Sequence, residues 1–342
     1  MLEARFAADW LAIWPEKAAA GLAVSGGPDS LALLLLAHAA IPGAFKVATV
    51  DHGLRPESAA EARYVAKLCA DFSIPHEILT IALPPGPAVQ ERARVARYAA
   101  LGEWVARSGL AAIATAHHAD DQAETLLMRL SRGAGVRGLA AMRGISPLPG
   151  RPDCQLLRPL LGWRRSDLAM IVAAAGIEPV LDPSNRDHRF ERVRMRTMLS
   201  GWEDIDPLSI AASARHLAEA DAALDWTAEQ CFAAVRTSGG VSCWDPRGVP
   251  RAVAQRVLER ILIELGRSKP RGNALARWHD RLAAGEIATL AGVRGDGRKA
   301  EWRFVVAPRP RSVAASPSGS PLGQEIRTSA YIAIPHGRPT LE

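Results

Sequence analysis

The chain has 342 residues, of which 48% are hydrophobic and 23% are charged, and these values exclude a disordered polyelectrolyte and a fibrous repeat. At roughly 150 residues per domain, the length predicts about two domains. Forty-two basic and thirty-six acidic side chains leave a net charge of +6, which favours a polyanionic partner without establishing one.

The longest apolar stretch runs from Leu31 to Ile41 and contains His38. It is far shorter than the roughly 20 residues that cross a bilayer, so the sequence predicts no transmembrane helix. Charged Glu3 and Asp9 interrupt the apolar residues at the N-terminus, a pattern that argues against a secretory signal. We therefore expect a cytoplasmic protein with no membrane partner.

The cysteines contain no Cys-x-x-Cys pair; they are Cys69, Cys154, Cys231 and Cys243. Their wide spacing argues against a zinc ribbon, a disulfide scaffold and an iron–sulfur cluster. The sequence predicts scattered reduced thiols.

Short β-branched or small apolar runs alternate with longer amphipathic runs in the first half of the chain, as in βαβ units. The predicted strands are Gly21–Val24, Phe45–Val50, His76–Ile81 and Ala111–Ala116. The predicted helices are Leu31–Ala40, Glu57–Phe72, Val89–Ser108 and Ala119–Arg132, with a break at Pro84–Pro87. This order predicts an α/β fold with a doubly wound, mostly parallel, Rossmann-like sheet.

The later elements are harder to place. Gly144–Pro152 has the composition of a loop, and Leu156–Leu161 with a helix at Ser166–Ala175 returns to the first domain. An alanine-rich helix is predicted from Leu208 to about Val235. We divide the chain into residues 1–204 and a smaller, mainly helical region at 205–342 with terminal strands, in which Ser312–Gly323 predicts a mobile loop or linker.

A Gly/Ser-rich turn joins the first predicted strand and helix, in the sequence Ser25-Gly26-Gly27-Pro28-Asp29-Ser30. Adjacent glycines let backbone N–H groups approach an anion, the serines add hydroxyl donors, and the helix dipole adds attraction. A carboxylate at Asp29 repels phosphate unless a divalent cation lies between them. The alternative is a tight turn with Asp29 or Ser30 as a helix cap. The turn has neither Walker A nor Gly-x-Gly-x-x-Gly spacing.

Two further polar segments follow predicted strands, at the sheet edge where doubly wound folds bind ligands. The first is Asp51-His52-Gly53-Leu54-Arg55, for which an ordinary turn is the alternative. The second is Thr115-Ala116-His117-His118-Ala119-Asp120-Asp121-Gln122-Ala123-Glu124-Thr125. A helix that begins near Ala119 places Asp121 and Glu124 on one face, and likewise His118 and Gln122.

The histidines and carboxylates of the second segment allow three interpretations. Zinc is disfavoured because the histidines are adjacent and no third ligand is evident. Asp120 as a helix cap, with the histidines in local hydrogen bonds, is the purely structural interpretation. Magnesium held by Asp29 and one carboxylate of the segment fits better, because magnesium bridges nucleotide phosphates through few protein ligands.

The turn resembles the Ser-Gly-Gly-x-Asp-Ser signature of PP-loop ATP pyrophosphatases, which split ATP between the α- and β-phosphates and adenylate a substrate. Together the three segments resemble one branch of that family, the tRNA(Ile)-lysidine synthases. Later matches are Leu157-Arg158-Pro159-Leu160-Leu161 and Asp182-Pro183-Ser184-Asn185, followed by Arg192, Arg194 and Arg196. Val193 stands where the family usually has Asn. The resemblance covers roughly residues 20–200.

The resemblance implies a catalytic PP-loop domain at residues 1–204 and a tRNA-binding region at 205–342. ATP and Mg²⁺ are the implied cofactors, and tRNA(Ile) with a CAU anticodon and free lysine are the implied partners. ATP adenylates the C2 carbonyl oxygen of the wobble cytidine, pyrophosphate leaves, and the lysine ε-amine then displaces AMP to give lysidine. A homodimer is left open.

The implied site residues fall into three groups. The ATP-binding residues are Ser25, Gly26, Gly27, Pro28, Asp29, Ser30, Asp51 and His52. Asp29 and Asp121 are the implied metal ligands, with Asp120 close behind, and His117, His118 and Glu124 are alternative bases among which no spacing argument selects. Arg192, Arg194 and Arg196 hold the tRNA backbone or the triphosphate, or else form a solvated basic helix face.

Other interpretations remain for the tryptophans and for the function. The tryptophans of the second region could stack on RNA bases or pack in the hydrophobic core, and we favour the core. They are Trp226, Trp244, Trp278 and Trp302. A tRNA thiolase is one rival, disfavoured because paired cysteines are missing. A nucleotide-regulated RNA-binding protein without turnover is another, disfavoured by the intact Asp29, Asp121 and Glu124.

Overall fold

A computed structural model describes residues 1–16, 18–53, 56–83, 86–181, 187, 189–202, 204–270 and 273–307. Several parts of the predicted pattern lie outside these residues: Leu54, Arg55, Pro84, Pro85, the Asp182–Asn185 motif and Ser312–Gly323. In the described part of the chain, no helix is long and apolar enough to span a membrane.

The helices and strands alternate through the first half of the chain. The helices are α1 (Leu2–Ile13), α2 (Pro28–Ala40), α3 (Ser58–Asp71), α4 (Val89–Arg107), α5 (Ala119–Leu130), α6 (Val136–Leu139), α7 (Arg165–Ala174), α8 (Glu191–Ser200), α9 (Pro207–Phe232), α10 (Arg251–Glu264) and α11 (Ala274–Ala283). The strands are β1 (Ala20–Ala23), β2 (Phe45–Asp51), β3 (His76–Thr80), β4 (Ala112–Ala114), β5 (Ile145–Leu148), β6 (Arg151–Leu157), β7 (Arg236–Ser238), β8 (Val241–Trp244), β9 (Ile287–Leu290), β10 (Val293–Asp296) and β11 (Trp302–Val306).

The first sheet has the strand order β3-β2-β1-β4-β6-β5, in which only β5 is antiparallel to its neighbour. The order reverses between β1 and β4, and this switch point is where open α/β sheets bind ligands. The predicted doubly wound, mostly parallel sheet is therefore confirmed. The segment Gly144–Pro152 is not the predicted loop, because it forms β5 and the start of β6 as an antiparallel pair.

Neighbouring strand residues point to opposite faces of this sheet and enter different cores. On one face, Val47 and Ala114 pack with Leu33 of α2. On the other face, Ala48 and Ile113 pack with α4. Helices α2 and α4 therefore cover opposite faces of the sheet.

Contacts divide the chain into two units, and the first consists of Met1–Ala234 and Val249–Val257. It contains the first sheet, α9 and the first half of α10. Helix α9 thus clusters with the first sheet, although the sequence analysis assigned it to the second region. The functional division at residue 204 stays a prediction.

The second unit consists of Val235–Gly248 and the described residues from 258 to 307. Its antiparallel sheet has the order β7-β8-β11-β10-β9. Trp244, Trp278 and Trp302 are buried, and the Trp278 indole donates a hydrogen bond to the carbonyl of Ala288 at 3.0 Å. These three tryptophans form core as favoured, whereas Trp226, on α9 of the first unit, is 67% exposed.

Candidate active site

The loop between β1 and α2 is held by hydrogen bonds among its own residues. The Ser30 hydroxyl donates to the carbonyl of Gly27 at 3.0 Å and accepts from the backbone N–H of Ser25 at 3.1 Å. Pro28 occupies the first turn of α2, where its missing N–H costs no helical hydrogen bond. The loop therefore presents its remaining N–H groups and the positive end of the α2 dipole to an anion.

Gly26 has a backbone conformation and surroundings that suit glycine. Its φ is +87°, and a β-carbon there would lie 3.2 Å from side-chain atoms of Val65 and Val180. Its carbonyl accepts a hydrogen bond from the N–H of Val180 at 2.9 Å. Any other residue at this position would strain the loop.

Helix α5 begins with two aspartates that bind backbone N–H groups. Asp121 Oδ2 accepts from the N–H of His118, the N-cap residue, at 3.1 Å. Asp120 Oδ2 accepts from the N–H of Arg165 at the start of α7, at 2.9 Å. Asp120 thus links two helix N-termini, and Asp121 fixes the start of α5.

His118 is 1% exposed and lies among three carboxylates. Its Nε2 is 3.5 Å from Oδ2 of Asp29 and 3.5 Å from Oδ2 of Asp121, and its Nδ1 is 3.4 Å from Oδ2 of Asp120. Burial by itself lowers the pKa of His118, but Asp120, Asp29 and Asp121 together raise this pKa to about 10. The protonated imidazole therefore balances the negative charge at this end of the site.

Asp29 is the carboxylate with an available oxygen. Its Oδ1 is buried and has no hydrogen-bond partner in the part of the chain that the structure describes. A lone buried carboxylate oxygen beside a phosphate loop suits Mg²⁺, which takes one or two carboxylates and completes its shell with phosphates and water. Among the described residues, no group of three or more His, Cys, Asp or Glu is placed to hold a metal ion.

Asp121 and Glu124 are bound by arginines from α8. Arg192 Nη2 donates to Asp121 Oδ1 at 2.6 Å, and Arg192 Nε donates to Glu124 Oε2 at 2.6 Å. Arg196 Nε donates to Glu124 Oε1 at 2.7 Å. Both Glu124 oxygens are thus occupied in a side chain that is 1% exposed. Arg194 Nη1 donates to the backbone carbonyl of Arg189 at 2.9 Å.

His117 sits differently from His118. Its Nδ1 shares a hydrogen bond of 2.8 Å with Thr115 Oγ1. Burial is the main reason that the pKa of His117 falls to about 4; Asp121 opposes this shift, and Arg158, Arg192 and Arg94 add to it. His117 is therefore a neutral imidazole at neutral pH.

In the segment after β2, one residue fixes the loop by hydrogen bonds and the next lines a cavity. Asp51 Oδ1 accepts from Ser58 Oγ at 2.6 Å and from the N–H of Gly53 at 3.0 Å. The Ser58 hydrogen bond is the main reason that the pKa of Asp51 lies below its usual value. Asp51 thus shapes the loop, whereas His52 lines the adjacent cavity.

A cavity of about 460 Å³ lies over the ends of β1 and β4. Ten of the predicted site residues line it: Ser25, Gly27, Pro28, Asp29, Ser30, His52, His117, Asp121, Arg192 and Arg196. The other five do not: Gly26, Asp51, His118, Glu124 and Arg194. Sequence reasoning missed several lining residues, among them Thr49, Arg94, Arg97, Tyr98 and Arg165. The only available signal was the run of basic residues within the predicted helix Val89–Ser108.

All four cysteines are free thiols, and none lines this cavity. Burial raises the pKa of the Cys69 thiol to about 12, which removes it as a thiolate nucleophile. None of the four thiols is therefore placed to act in this cavity.

Comparisons with known proteins agree with this geometry. A family model described as a PP-loop domain matches residues 4–201. The tRNA(Ile)-lysidine synthase of Novosphingobium aromaticivorans is 56% identical over 309 residues, which cover 90% of this chain and 94% of that relative. The enzymes of the same name from Zymomonas mobilis and Ruegeria pomeroyi are each 43% identical; the matches cover 86% and 83% of this chain and 90% and 72% of the relatives. The chain therefore belongs to the tRNA(Ile)-lysidine synthase family of PP-loop proteins.

Proposed function

We propose that this chain is an ATP-dependent ligase that joins free lysine to C2 of the wobble cytidine of tRNA(Ile) with a CAU anticodon. The products are lysidine, AMP and pyrophosphate. One observation carries the proposal: the phosphate loop of β1 and the His-His-x-Asp-Asp segment of β4 line one cavity, in a chain 56% identical to a tRNA(Ile)-lysidine synthase. A cytoplasmic location belongs to the same proposal.

The reaction has two steps with distinct needs. Cytidine O2 first attacks the α-phosphorus of ATP, and the bond to pyrophosphate breaks. The lysine Nζ then attacks C2, the C2–O2 bond breaks, AMP leaves with that oxygen, and the nitrogen releases a proton. The first step needs stabilisation of negative charge at phosphate, and the second needs a proton acceptor.

In this proposal the phosphate loop and the α8 arginines stabilise the negative charge that the first step creates at phosphate. Loop N–H groups and the Ser25 hydroxyl bind phosphate oxygens. Mg²⁺, which neutralises phosphate charge when bound, would be held by Asp29. Asp121, the second predicted ligand, would have to share oxygens that already accept hydrogen bonds from Arg192 and His118. Glu124 is a positioning residue in this scheme, because it fixes Arg192 and Arg196 at the cavity wall.

His117 is our choice among the three alternative bases. Both oxygens of Glu124 accept hydrogen bonds from arginine, and buried His118 is protonated among three aspartates. Of the three, only His117 lines the cavity, and its imidazole is unprotonated at neutral pH. Burial and the nearby arginines make this imidazole a weak base, and an anion bound beside those arginines would raise its pKa and its ability to accept a proton.

The direct test combines the full chain with ATP, Mg²⁺, labelled lysine and unmodified tRNA(Ile). Label in the RNA supports the ligase. Pyrophosphate release without lysine incorporation indicates a different adenylating enzyme, and neither signal indicates a binding protein.

Asp29→Asn tests the metal role of the loop carboxylate. We expect tRNA-dependent pyrophosphate release to fall by at least ~100-fold, because a carboxylate that holds the neutralising cation is lost. Asp71→Asn is the matched control, since Asp71 is exposed at the end of α3. Near-normal turnover of Asp29→Asn refutes the metal role.

A further inference from the structure

Two guanidinium groups that act electrostatically on His117 have no acidic partner in the part of the chain that the structure describes. Arg94, on α4, lines the cavity, and its Cζ lies 5.2 Å from the centroid of the Tyr98 ring. Arg158 directly follows β6. Among the residues that the structure describes, no carboxylate forms an ion pair with either side chain.

Neutral groups hold Arg158 in place. Its Nη1 donates to the carbonyl of Arg143 at 2.7 Å and to Ser146 Oγ at 3.0 Å. Its Nε is buried and has no partner in the described part of the chain. A buried cation that is bound only by neutral acceptors is costly unless an anion arrives.

The two guanidiniums lie within electrostatic range of each other and of His117. Burial lowers the pKa of Arg158; Tyr98 opposes the shift and Arg94 adds to it. Both arginines also lower the pKa of His117. Two positive charges that interact unfavourably with each other are both stabilised by an anionic ligand.

This cationic pair differs in place from the phosphate loop. The loop leads into α2, whereas Arg94 is on α4, and these helices cover opposite faces of the sheet. The cavity is therefore lined by the phosphate loop on the α2 side and by Arg94 on the α4 side. His117 also lines this cavity.

We infer that Arg94, supported by Arg158, binds the α-carboxylate of the free amino acid that the proposed reaction consumes. The inference rests on the proposed function. A guanidinium fork matches a carboxylate with two parallel hydrogen bonds. Lysine bound in this way keeps its flexible four-carbon stem free, so that the ε-amine can reach C2 of the adenylated cytidine and its proton can pass to His117.

The test compares lysine with cadaverine, which is lysine without its carboxylate, in the full-chain ligation assay. Wild-type protein is expected to prefer lysine in kcat/KM by at least ~10-fold, the value of a charged hydrogen bond. Arg94→Met is expected to raise the KM for lysine by at least ~10-fold and to abolish the preference over cadaverine. Arg94→Lys is expected to restore part of that preference.

Arg107→Met is the matched control on the same helix, because Arg107 pairs with Glu77 at the surface. Its KM for lysine should stay at the wild-type value. A rise in the KM for ATP or tRNA in Arg94→Met, with an unchanged KM for lysine, overturns the inference and assigns the pair to phosphate. An unchanged preference for lysine over cadaverine in both Arg94 variants also overturns it, while the proposed function stands. If wild-type protein incorporates no lysine, the proposed function fails and the inference with it.

Discussion

His117 differs from the other two alternative bases of its segment, His118 and Glu124, because its side chain lines the cavity. His118 and Glu124 are each 1% exposed and are bound by protein partners. Their charges organise Asp29, Asp121 and the α8 arginines, and neither side chain lines the cavity. We therefore assign the proton-accepting step of the proposed reaction to His117.

His117→Asn is expected to reduce lysine incorporation by about 100-fold, because the proton acceptor of the second step is lost. Adenylation needs no base, so tRNA-dependent pyrophosphate release should fall much less. Both half-reactions are measured with radiolabelled lysine and ATP. His216→Asn, a substitution on the exposed side of α9, serves as control. An equal loss in both half-reactions would contradict the role of His117.

Ten of the predicted site residues line the cavity, but the sequence did not predict which of the site residues pair with each other. The motif singled out Glu124 and Arg192, yet 68 residues separate them in the chain, and only the fold brings α8 onto α5. Arg94 belongs to no motif, because one arginine among several in an amphipathic helix carries no positional signal. For the same reason the sequence did not distinguish Arg194 from Arg192 and Arg196.

At the level of elements, β1 and α4 approach closely through Gly21. A β-carbon on Gly21 would overlap Cζ3 of Trp104, which is 2% exposed. We expect Gly21→Ala to lower the free energy of unfolding by about 1–3 kcal/mol, as overpacked cores do. Urea unfolding measures it, with Gly162→Ala as control, because no atom lies within 4 Å of a β-carbon there. Equal stability of the two variants would contradict this packing.

Helix α9 is fixed to the first unit by ion pairs. Asp221, which is 3% exposed, binds Arg143 and Arg256, and Asp225 binds Arg137 and Arg256. The neighbouring residue of Arg143, Met142, exchanges two backbone hydrogen bonds with the side-chain amide of Gln122 on α5. The position of α9 is thereby linked to the helix that carries Asp121.

This cluster predicts a pH effect on stability. Burial raises the pKa of Asp225, but Arg256 and Arg137 bring it below the usual value of 3.8. A carboxylate with a lowered pKa stabilises the fold fully above about pH 5 and loses this contribution as the pH falls through its folded pKa. Asp225→Asn should therefore reduce stability at neutral pH and flatten the acid limb of the unfolding curve, in contrast to Asp71→Asn. A wild-type acid limb in Asp225→Asn would contradict the cluster's role.

The long elements of the first sheet were predicted within a few residues, because their periodicity extends over many positions. The hairpin of β5 and β6 was missed, since Gly and Pro residues in Gly144–Pro152 have the composition of a loop. Strands β7 to β11 have only three to five residues each, too few to establish an alternating pattern.

For the whole molecule, the net charge of +6 favours a polyanionic substrate. Released counterions make protein–RNA affinity fall with salt, so we expect the Kd for tRNA(Ile) to rise by at least ~10-fold between about 50 and 200 mM salt. The KM for ATP should change much less over this range. Filter binding and initial rates give the two values. Salt-independent tRNA binding would contradict an electrostatic contribution.

The chain passes from the first unit into the second and back again, and this path determines when the contacts of the first unit can form during synthesis. Residues 235–248 belong to the second unit, and residues 249–257 return to the first, where Arg256 meets Asp221 and Asp225. A nascent chain leaves the ribosome from its N-terminus. Asp221 and Asp225 therefore cannot pair with Arg256 until residue 256 has emerged. The first unit completes its native contacts only after part of the second unit has been synthesised.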